Sequence, residues 1–225
     1  MRKLIRIWLV LSIPIVLTIG VVRAVTMPWY PAWEYQRSGF PADPYGMDRS
    51  TRLRLAQAAI RYLNRPRDEA ILARLELTDG SPAFNERELS HMVDVKRVYD
   101  RLTFAAIGVL IVALLGAGYL MNRDQVQAIG RGLRGGGLLT LCLIAALALW
   151  MLVGFSAFFT WFHSLFFEGG TWLFRASDTL IRLFPLQFWQ DAGLFVAGTV
   201  SVLAIVSVVV GRSLTAKSGR NAIPT

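Results

Sequence analysis

The sequence predicts an all-α membrane protein, a bundle of four transmembrane helices with two segments outside the membrane. One is a small α/β cap between helices 1 and 2, and the other is an aromatic-rich interfacial segment between helices 3 and 4. Hydrophobic residues make up 54% of the 225-residue chain, which is too many for an ordinary soluble domain. Four stretches also lack Asp, Glu, Lys and Arg, at 7–22, 102–122, 135–167 and 192–211.

About 20 apolar residues span the hydrocarbon core of a bilayer, so each charge-free stretch is long enough for one crossing. The predicted transmembrane helices occupy 1–26, 102–121, 137–160 and 192–211. Between and after them lie the cap segment 27–101, a cytoplasmic loop 122–136, the interfacial segment 161–191 and a cytoplasmic tail 212–225. Helix 1 could instead be a cleaved signal peptide. Its apolar run is long for one and Val22-Arg23-Ala24 is a poor cleavage site, so we favour an uncleaved anchor.

The basic residues predict the orientation of the helices. The N-terminus, the 122–136 loop and the tail together carry nine Lys or Arg and one acidic residue, Asp124. The two other segments carry equal numbers of basic and acidic residues. By the positive-inside rule, both termini and the 122–136 loop are cytoplasmic, and the cap and interfacial segments are extracytoplasmic. The net charge of +9 is scattered over short pieces, so we expect no nucleic-acid partner.

Within the cap segment, Ser50 is predicted to cap a helix that Pro66 interrupts. A short hairpin is predicted to pair 73–78 with 81–84 around the turn signal Asp79-Gly80. The glycines between 130 and 137 follow no predicted strand and precede no Gly-Lys-Ser/Thr, so a flexible loop is favoured over a phosphate-binding loop. The single cysteine, Cys142, is interpreted as a small buried or lipid-facing residue of helix 3.

A second cap helix is predicted to begin at Asn85, because Asn85 and Glu88 have the spacing of a capping box. Glu88 and His91 then share one side of this helix, and Asp94 is close enough in sequence to orient the imidazole. The helix is expected to continue into the apolar run at 102. This arrangement predicts an ionisable cluster at the edge of the membrane.

His163 follows the predicted outer end of helix 3, so His91 and His163 are expected on the same side of the membrane at similar depth. They are the only two histidines in the chain. Histidine is suited to moving protons near neutral pH, and a polar group at membrane depth is a functional hypothesis by default. The alternative is that each histidine hydrogen-bonds locally and stabilises the cap.

A metal site is the sharper alternative, with Glu88, His91 and Asp94 at helical spacing and His163 completing the set together with Glu168 or Asp178. The pattern occurs only once, however, whereas di-metal sites in helical bundles use two Glu-x-x-His halves. Two histidines without an external cysteine also make a poor zinc site. We therefore expect no metal and no cofactor. Neighbouring residues on a helix do not face each other, so Ser90 and Ser164 are not predicted nucleophiles.

Two groups of residues together resemble one known family. They are Phe84-Asn85-Glu86-Arg87-Glu88 with Ser90-His91-Met92-x-Asp94-Val95-Lys96, and Phe162-His163-x-x-Phe166-Phe167 with Trp172, Asp178-x-Leu180-Ile181, Phe184-Pro185 and Phe188-Trp189. The sequence is similar in these motifs to the Lit-type bacterial lipoprotein intramolecular transacylases. The resemblance implies that the sn-2 acyl chain of a diacylglyceryl-modified cysteine moves from the glycerol oxygen to the cysteine α-amine.

The same resemblance implies that His91 and His163 are the catalytic pair. On this hypothesis His91 is the base, oriented by Asp94 or Glu88 on the helix capped by Asn85, and His163 protonates the leaving oxygen or stabilises the oxyanion, although the roles could be exchanged. The residues expected to shape the substrate site are Phe166, Phe167, Trp172, Asp178 and Arg182. An interfacial belt explains the aromatic members of this set equally well.

The expected setting is the bacterial cytoplasmic membrane, with a monomeric chain whose partners are a diacylglyceryl-modified lipoprotein and membrane lipid. Two other functions remain open, a metal-dependent membrane hydrolase acting on lipids and a non-enzymatic membrane scaffold or transporter accessory. The predicted helices contain few polar residues at depths where a transporter would place them, which argues against passage of a solute through the bundle.

Overall fold

The computed structural model describes residues 1–65 and 70–220 as a helical chain. The helices are α1 (Arg2–Val25), α2 (Trp29–Glu34), α3 (Arg49–Asn64), α4 (Ala70–Ala73), α5 (Glu86–Met121), α6 (Val126–Phe166), α7 (Thr179–Leu183) and α8 (Leu186–Arg220). Four of them, α1, α5, α6 and α8, are long and apolar enough to cross a bilayer, which confirms the predicted number of spans. Within the described ranges no residue belongs to a β-strand.

The first of two compact units comprises Met1–Val22, Leu102–Gly154 and the chain from Phe195 onward. Its buried apolar cluster contains Leu9 on α1, Leu120 on α5 and Ala128 on α6. Most other large side chains of these helices are exposed, as expected for surfaces that face lipid rather than a protein core.

The glycines between 130 and 137 were predicted to form a flexible loop, and this prediction is wrong. They lie inside α6, where a Cβ atom at Gly137 would be 2.6 Å from the carbonyl oxygen of Ala204 on α8. A Cβ atom at Gly132 would be 2.8 Å from the Cβ of Leu9 on α1. Small residues allow transmembrane helices to approach closely, so this glycine run is a packing surface.

The second unit comprises Arg23–Arg101 and Phe155–Leu194, and its core contains Leu55, Tyr62 and Leu72. Helix α3 begins two residues earlier than Ser50 would indicate. The carboxylate of Asp48 accepts a hydrogen bond from the backbone N–H of Thr51 at 2.9 Å and so provides the cap. The predicted break at Pro66 lies outside the described residues.

The predicted hairpin is reduced to one antiparallel bridge between Glu76 and Pro82. The turn itself forms as expected, with Gly80 at φ +80° and the backbone N–H of Ser81 bonded to Asp79 at 3.0 Å. The bridge is flanked by two backbone hydrogen bonds, from Leu77 N–H to the Ser81 oxygen at 2.9 Å and from Ala83 N–H to the Leu75 oxygen at 2.8 Å, and within the described residues no second bridge continues it. The α/β description of the cap is therefore corrected, because its described residues form helices with a single bridge.

Helix α6 extends beyond the predicted end of helix 3. Its backbone leaves helical geometry at Gly154 (φ −159°, ψ 71°) and becomes helical again until Phe166. His163 therefore lies within a helix and not beyond its end. Because His163 belongs to the helix, its side chain lies beside the backbone carbonyl group of the residue one turn earlier and can hydrogen-bond to it.

Candidate functional site

The site is built on the first turn of α5, whose capping box is confirmed. The backbone N–H of Glu88 donates to the Asn85 side-chain oxygen at 3.0 Å, and the backbone N–H of Asn85 donates to a Glu88 carboxylate oxygen at 2.9 Å. These reciprocal bonds satisfy two backbone donors that the start of a helix would otherwise leave free. They fix the start of the helix five residues before His91.

Glu88 also connects α5 to a distant part of the chain. Its side chain is fully buried, and its second oxygen accepts the backbone N–H of Leu180 on α7 at 2.6 Å. Burial raises the pKa of Glu88, against the opposing effect of these backbone hydrogen bonds. Asp178 reinforces the connection by accepting from the side chains of Asn85 and Arg87, both at 3.3 Å. Glu88 thus holds the start of α7 and does not bond to His91.

His91 lies one turn after Glu88 and is only 9% exposed. Its imidazole contacts the rings of Phe167 and Phe174, with centroid distances of 5.0 and 5.2 Å. Among the described residues, Nδ1 of His91 has no hydrogen-bond partner. Asp94, predicted to orient this ring, is paired with Arg97 at 2.8 Å instead.

The pKa of His91 is lowered to about 4, chiefly because burial disfavours the imidazolium and further because His163 is near, while Asp94 opposes the shift. His91 lies in the polar first part of α5, before the apolar run at 102. At neutral pH it is therefore an uncharged imidazole. A neutral imidazole has one N–H donor and one nitrogen lone pair.

His163 lies in the last turn of α6, and its side chain is held by its own helix. Its Nδ1 lies 2.8 Å from the backbone carbonyl oxygen of Phe159, one turn earlier. A carbonyl oxygen can only accept, so Nδ1 carries the hydrogen and Nε2 presents its lone pair when the ring is neutral. The ring lies at a tilt against those of Phe159 and Trp172, with centroid distances of 4.0 and 4.8 Å.

The ring of Phe167 contacts both imidazoles, at 5.0 Å from His91 and 5.7 Å from His163. The predicted pair is therefore brought together around one phenyl ring. Of the residues predicted to shape the site, Phe167 contacts both imidazoles and Trp172 contacts that of His163. The ring of Phe166 packs against that of Phe162, with the two ring centroids 5.2 Å apart.

Two predicted substrate-binding residues are placed elsewhere. Arg182 donates to both carboxylate oxygens of Asp43, at 2.9 to 3.3 Å; the Asp43 side chain is fully buried and that of Arg182 is 12% exposed. Asp178 accepts hydrogen bonds from Asn85 and Arg87 at the start of α5. Sequence reasoning missed Phe174, which contacts His91; it lies in the aromatic-rich segment, but no periodicity distinguishes it from its neighbours.

The carboxylates proposed as metal ligands are not gathered around the histidines. Over 1–65 and 70–220 no group of three or more His, Cys, Asp or Glu side chains could hold a metal ion. Glu88 bonds to backbone N–H groups, and Asp94 bonds to Arg97. The described side chains instead place two imidazoles in aromatic surroundings, which suits proton transfer in a site with little water.

Comparison with known proteins gives consistent results. A family model described as lipoprotein intramolecular transacylase Lit matches residues 6–189. An uncharacterised protein of Aquifex aeolicus is 33% identical over 198 residues, which cover 88% of each chain. The membrane-integral Lit transacylase of Bacillus cereus has a similar structure, with a TM-score of 0.74 and 22% identity over 98% of both chains. A histidine-to-arginine variant of that protein gives a TM-score of 0.76 at 21% identity, over 98% of this chain and 95% of the variant.

Proposed function

Since the chain belongs to the family of Lit lipoprotein intramolecular transacylases, we propose that it moves the sn-2 acyl chain of diacylglyceryl-cysteine to the α-amine of the same cysteine. The product is a lyso-form lipoprotein acylated on nitrogen. The observation that carries this proposal is the pair His91 and His163 around the ring of Phe167. Structures of a similar protein with a substituted histidine support testing the histidines first.

The reaction needs a base and an acid. The amine nitrogen attacks the ester carbonyl, the new C–N bond forms, and the bond between the acyl carbon and the glycerol oxygen breaks. The amine loses a proton and the glycerol oxygen gains one. An α-amine has a pKa of about 8, so a base must make it nucleophilic at neutral pH. Since amine and ester belong to one substrate, holding them in register replaces a covalent acyl-enzyme.

We assign the base to His163 and the acid to His91. The hydrogen bond to the Phe159 carbonyl leaves the Nε2 lone pair of His163 available to accept the amine proton. His91 is neutral and buried, so its N–H can stabilise the oxyanion and give its proton to the leaving glycerol oxygen. The proton that His163 took from the amine then passes to His91, which restores both neutral imidazoles. This assignment reverses the one favoured from the sequence, which relied on a carboxylate bonded to His91.

The surroundings of the pair support a lipid substrate. Phe166, Phe167 and Trp172 provide an apolar surface beside His163 for the acyl chain and glycerol. Asp178 and Arg182 act indirectly by holding α7 in position. The distribution of basic residues supports cytoplasmic termini and an extracytoplasmic site in a multi-pass membrane protein. We propose that the chain works as a monomer in the bacterial cytoplasmic membrane.

The test is expression in a host that leaves diacylglyceryl-cysteine without an N-acyl group, followed by mass spectrometry of an N-terminal lipopeptide. We expect an isomeric peptide with one acyl chain on nitrogen and one on glycerol. His91→Ala and His163→Ala should abolish it, while Ser90→Ala, on the same helix as His91, should retain it. Full activity in both histidine variants would refute the pair. Unchanged diacylglyceryl peptide with the native chain in the membrane would refute the acyl shift itself.

A further inference from the structure

Phe174 contacts both a buried imidazole and a half-exposed guanidinium. Its ring centroid is 5.2 Å from that of His91 and 5.4 Å from the Arg87 guanidinium carbon. The Arg87 side chain is 51% exposed, whereas His91 is 9% exposed. The phenyl ring therefore packs against His91 and against a side chain that reaches the surface of this unit.

Arg87 holds the ring from the outer side. Its guanidinium lies over Phe174 and pairs with Asp178 at 3.3 Å, and Asp178 also accepts the backbone N–H of Arg175 at 2.8 Å. A guanidinium over an aromatic face is attracted by the ring quadrupole. The position of Phe174 is thus supported by its contacts with His91 and Arg87 and by the residue that follows it.

Further aromatic rings contact the pair. Phe167 contacts both imidazoles, and Phe159 and Trp172 lie against His163 at a tilt. These rings offer few polar partners to a water molecule, so the aromatic surroundings of the two imidazoles favour hydrocarbon over water.

An ester in this site has two competing nucleophiles, the cysteine amine and water. The same base and acid serve either one. Attack by the amine closes a medium-sized ring through the thioether, so tethering alone gives it a weaker advantage than in a small ring, and the site must supply orientation. Exclusion of water is the other means of directing the acyl group to nitrogen.

We propose that Phe174 is a specificity-determining residue that keeps water from the ester and so makes this site a transacylase rather than a hydrolase. The inference rests on the proposed function. Without the ring, water attacks the acyl carbon, the bond from that carbon to the glycerol oxygen breaks, and the glycerol oxygen takes a proton. The products are a free fatty acid and a monoacylglyceryl peptide whose amine remains free.

The experiment measures how the acyl group partitions. Full-length protein in lipid nanodiscs receives a synthetic diacylglyceryl lipopeptide in ¹⁸O-labelled water, and mass spectrometry quantifies N-acyl peptide and ¹⁸O-labelled fatty acid. We expect Phe174→Ala to raise the ratio of fatty acid to N-acyl peptide about tenfold. Phe174→Leu, which keeps a bulky apolar side chain, and Arg87→Met, which leaves the ring without its outer partner, should give smaller rises. Phe104→Ala, a 71% exposed position of α5, is the matched control and should match the wild type.

Loss of both products in parallel, with the wild-type ratio kept in all three variants, would overturn the inference, because a merely structural ring changes the rate and not the partition. If Phe174→Ala is not recovered folded, the ratios of Phe174→Leu and Arg87→Met decide. N-acyl product from the wild type with unchanged ratios in the variants refutes the inference alone. A wild-type protein that forms neither product, or mainly fatty acid, refutes the proposed function and the inference with it.

Discussion

Replacing Arg182 by alanine distinguishes a structural role from substrate binding. In the structure, Arg182 bonds to Asp43 through Nε at 3.1 Å and through a terminal nitrogen at 2.9 Å. The Asp43 side chain has no solvent exposure and also accepts the backbone N–H of Met47 at 2.7 Å. Truncating Arg182 leaves a buried carboxylate without its counter-charge. We therefore expect the variant to lose stability before it loses affinity for substrate.

The magnitude follows from the burial of the pair. Removing one partner of a buried ion pair costs about 3–5 kcal/mol, because the other charge remains desolvated. For a chain of this size that corresponds to a fall in the unfolding temperature of roughly 6–20 °C. Burial alone would raise the pKa of Asp43, but hydrogen bonds from Arg182 and Met47 outweigh it and hold the pKa below its ordinary value. The stabilisation is therefore complete at neutral pH and is lost as the pH falls through that depressed pKa.

The assay is thermal unfolding in detergent, monitored by tryptophan fluorescence, with the Michaelis constant measured on the folded protein. Arg97→Ala is the matched control, since Arg97 pairs with Asp94 on an exposed surface and should cost less than about 1 kcal/mol. A double variant, Arg182→Leu with Asp43→Leu, should recover part of the loss, because neither charge remains buried alone. If Arg182→Ala keeps the wild-type unfolding temperature but raises the Michaelis constant, Arg182 binds substrate and our reasoning fails.

Three further predictions concern stability. The pKa of His91 in the folded protein lies below the unfolded value of about 6.5, so the free energy of unfolding should fall by about 3 kcal/mol as the pH is lowered from 6.5 to 4. In His91→Gln the free energy of unfolding should not show this dependence on pH. Glu88→Gln should lower the free energy of unfolding by about 1–3 kcal/mol, because the glutamine amide places a donor opposite the backbone N–H of Leu180 or Asn85. It should also lower acyl transfer to the lipopeptide amine. An unchanged unfolding temperature would refute this prediction. Gly137→Ala should destabilise the protein by about 1–3 kcal/mol, since the new Cβ atom would lie 2.6 Å from a backbone oxygen. Gly108→Ala, where a Cβ atom would have no neighbour within 4 Å, should stabilise it by about 1 kcal/mol. Equal unfolding temperatures of the two variants would contradict the packing role of the glycines.

The features that the sequence predicted correctly depend on local patterns. Long charge-free stretches predicted the four apolar helices, since crossing a bilayer depends on composition and length. The capping box at Asn85 and Glu88 was predictable because both hydrogen bonds join residues three positions apart. His91 and His163 were singled out because the chain has no other histidine, and their catalytic role stays a prediction, although both contact the ring of Phe167.

The features that it missed depend on contacts between distant parts of the chain. Arg182 bonds to Asp43 across 139 positions, and no local pattern identifies that partner. The glycines of α6 resemble a loop in composition, yet they permit close contact with helices that are distant in sequence. Phe174 is one of many aromatic residues in its segment, and only its contact with His91 distinguishes it. Turns and helix starts can be predicted from residues that are near in sequence. Which side chains contact the histidines depends on the packing of residues that are distant in sequence.

The unpaired nitrogen of His91 gives a last prediction that links stability to function. Nδ1 is buried and has no hydrogen-bond partner among the residues described, and a buried polar atom that is left without any partner costs about 1–3 kcal/mol. On our assignment, the substrate supplies the missing bond, so this cost is recovered only when the reacting groups are bound. His91→Phe keeps a flat ring between Phe167 and Phe174 and leaves no polar atom unpaired. We therefore expect it to unfold at a higher temperature than the wild type at pH 7 while forming no N-acyl product. A variant less stable than the wild type would mean that the protein itself satisfies the imidazole, and the substrate would then not be its partner.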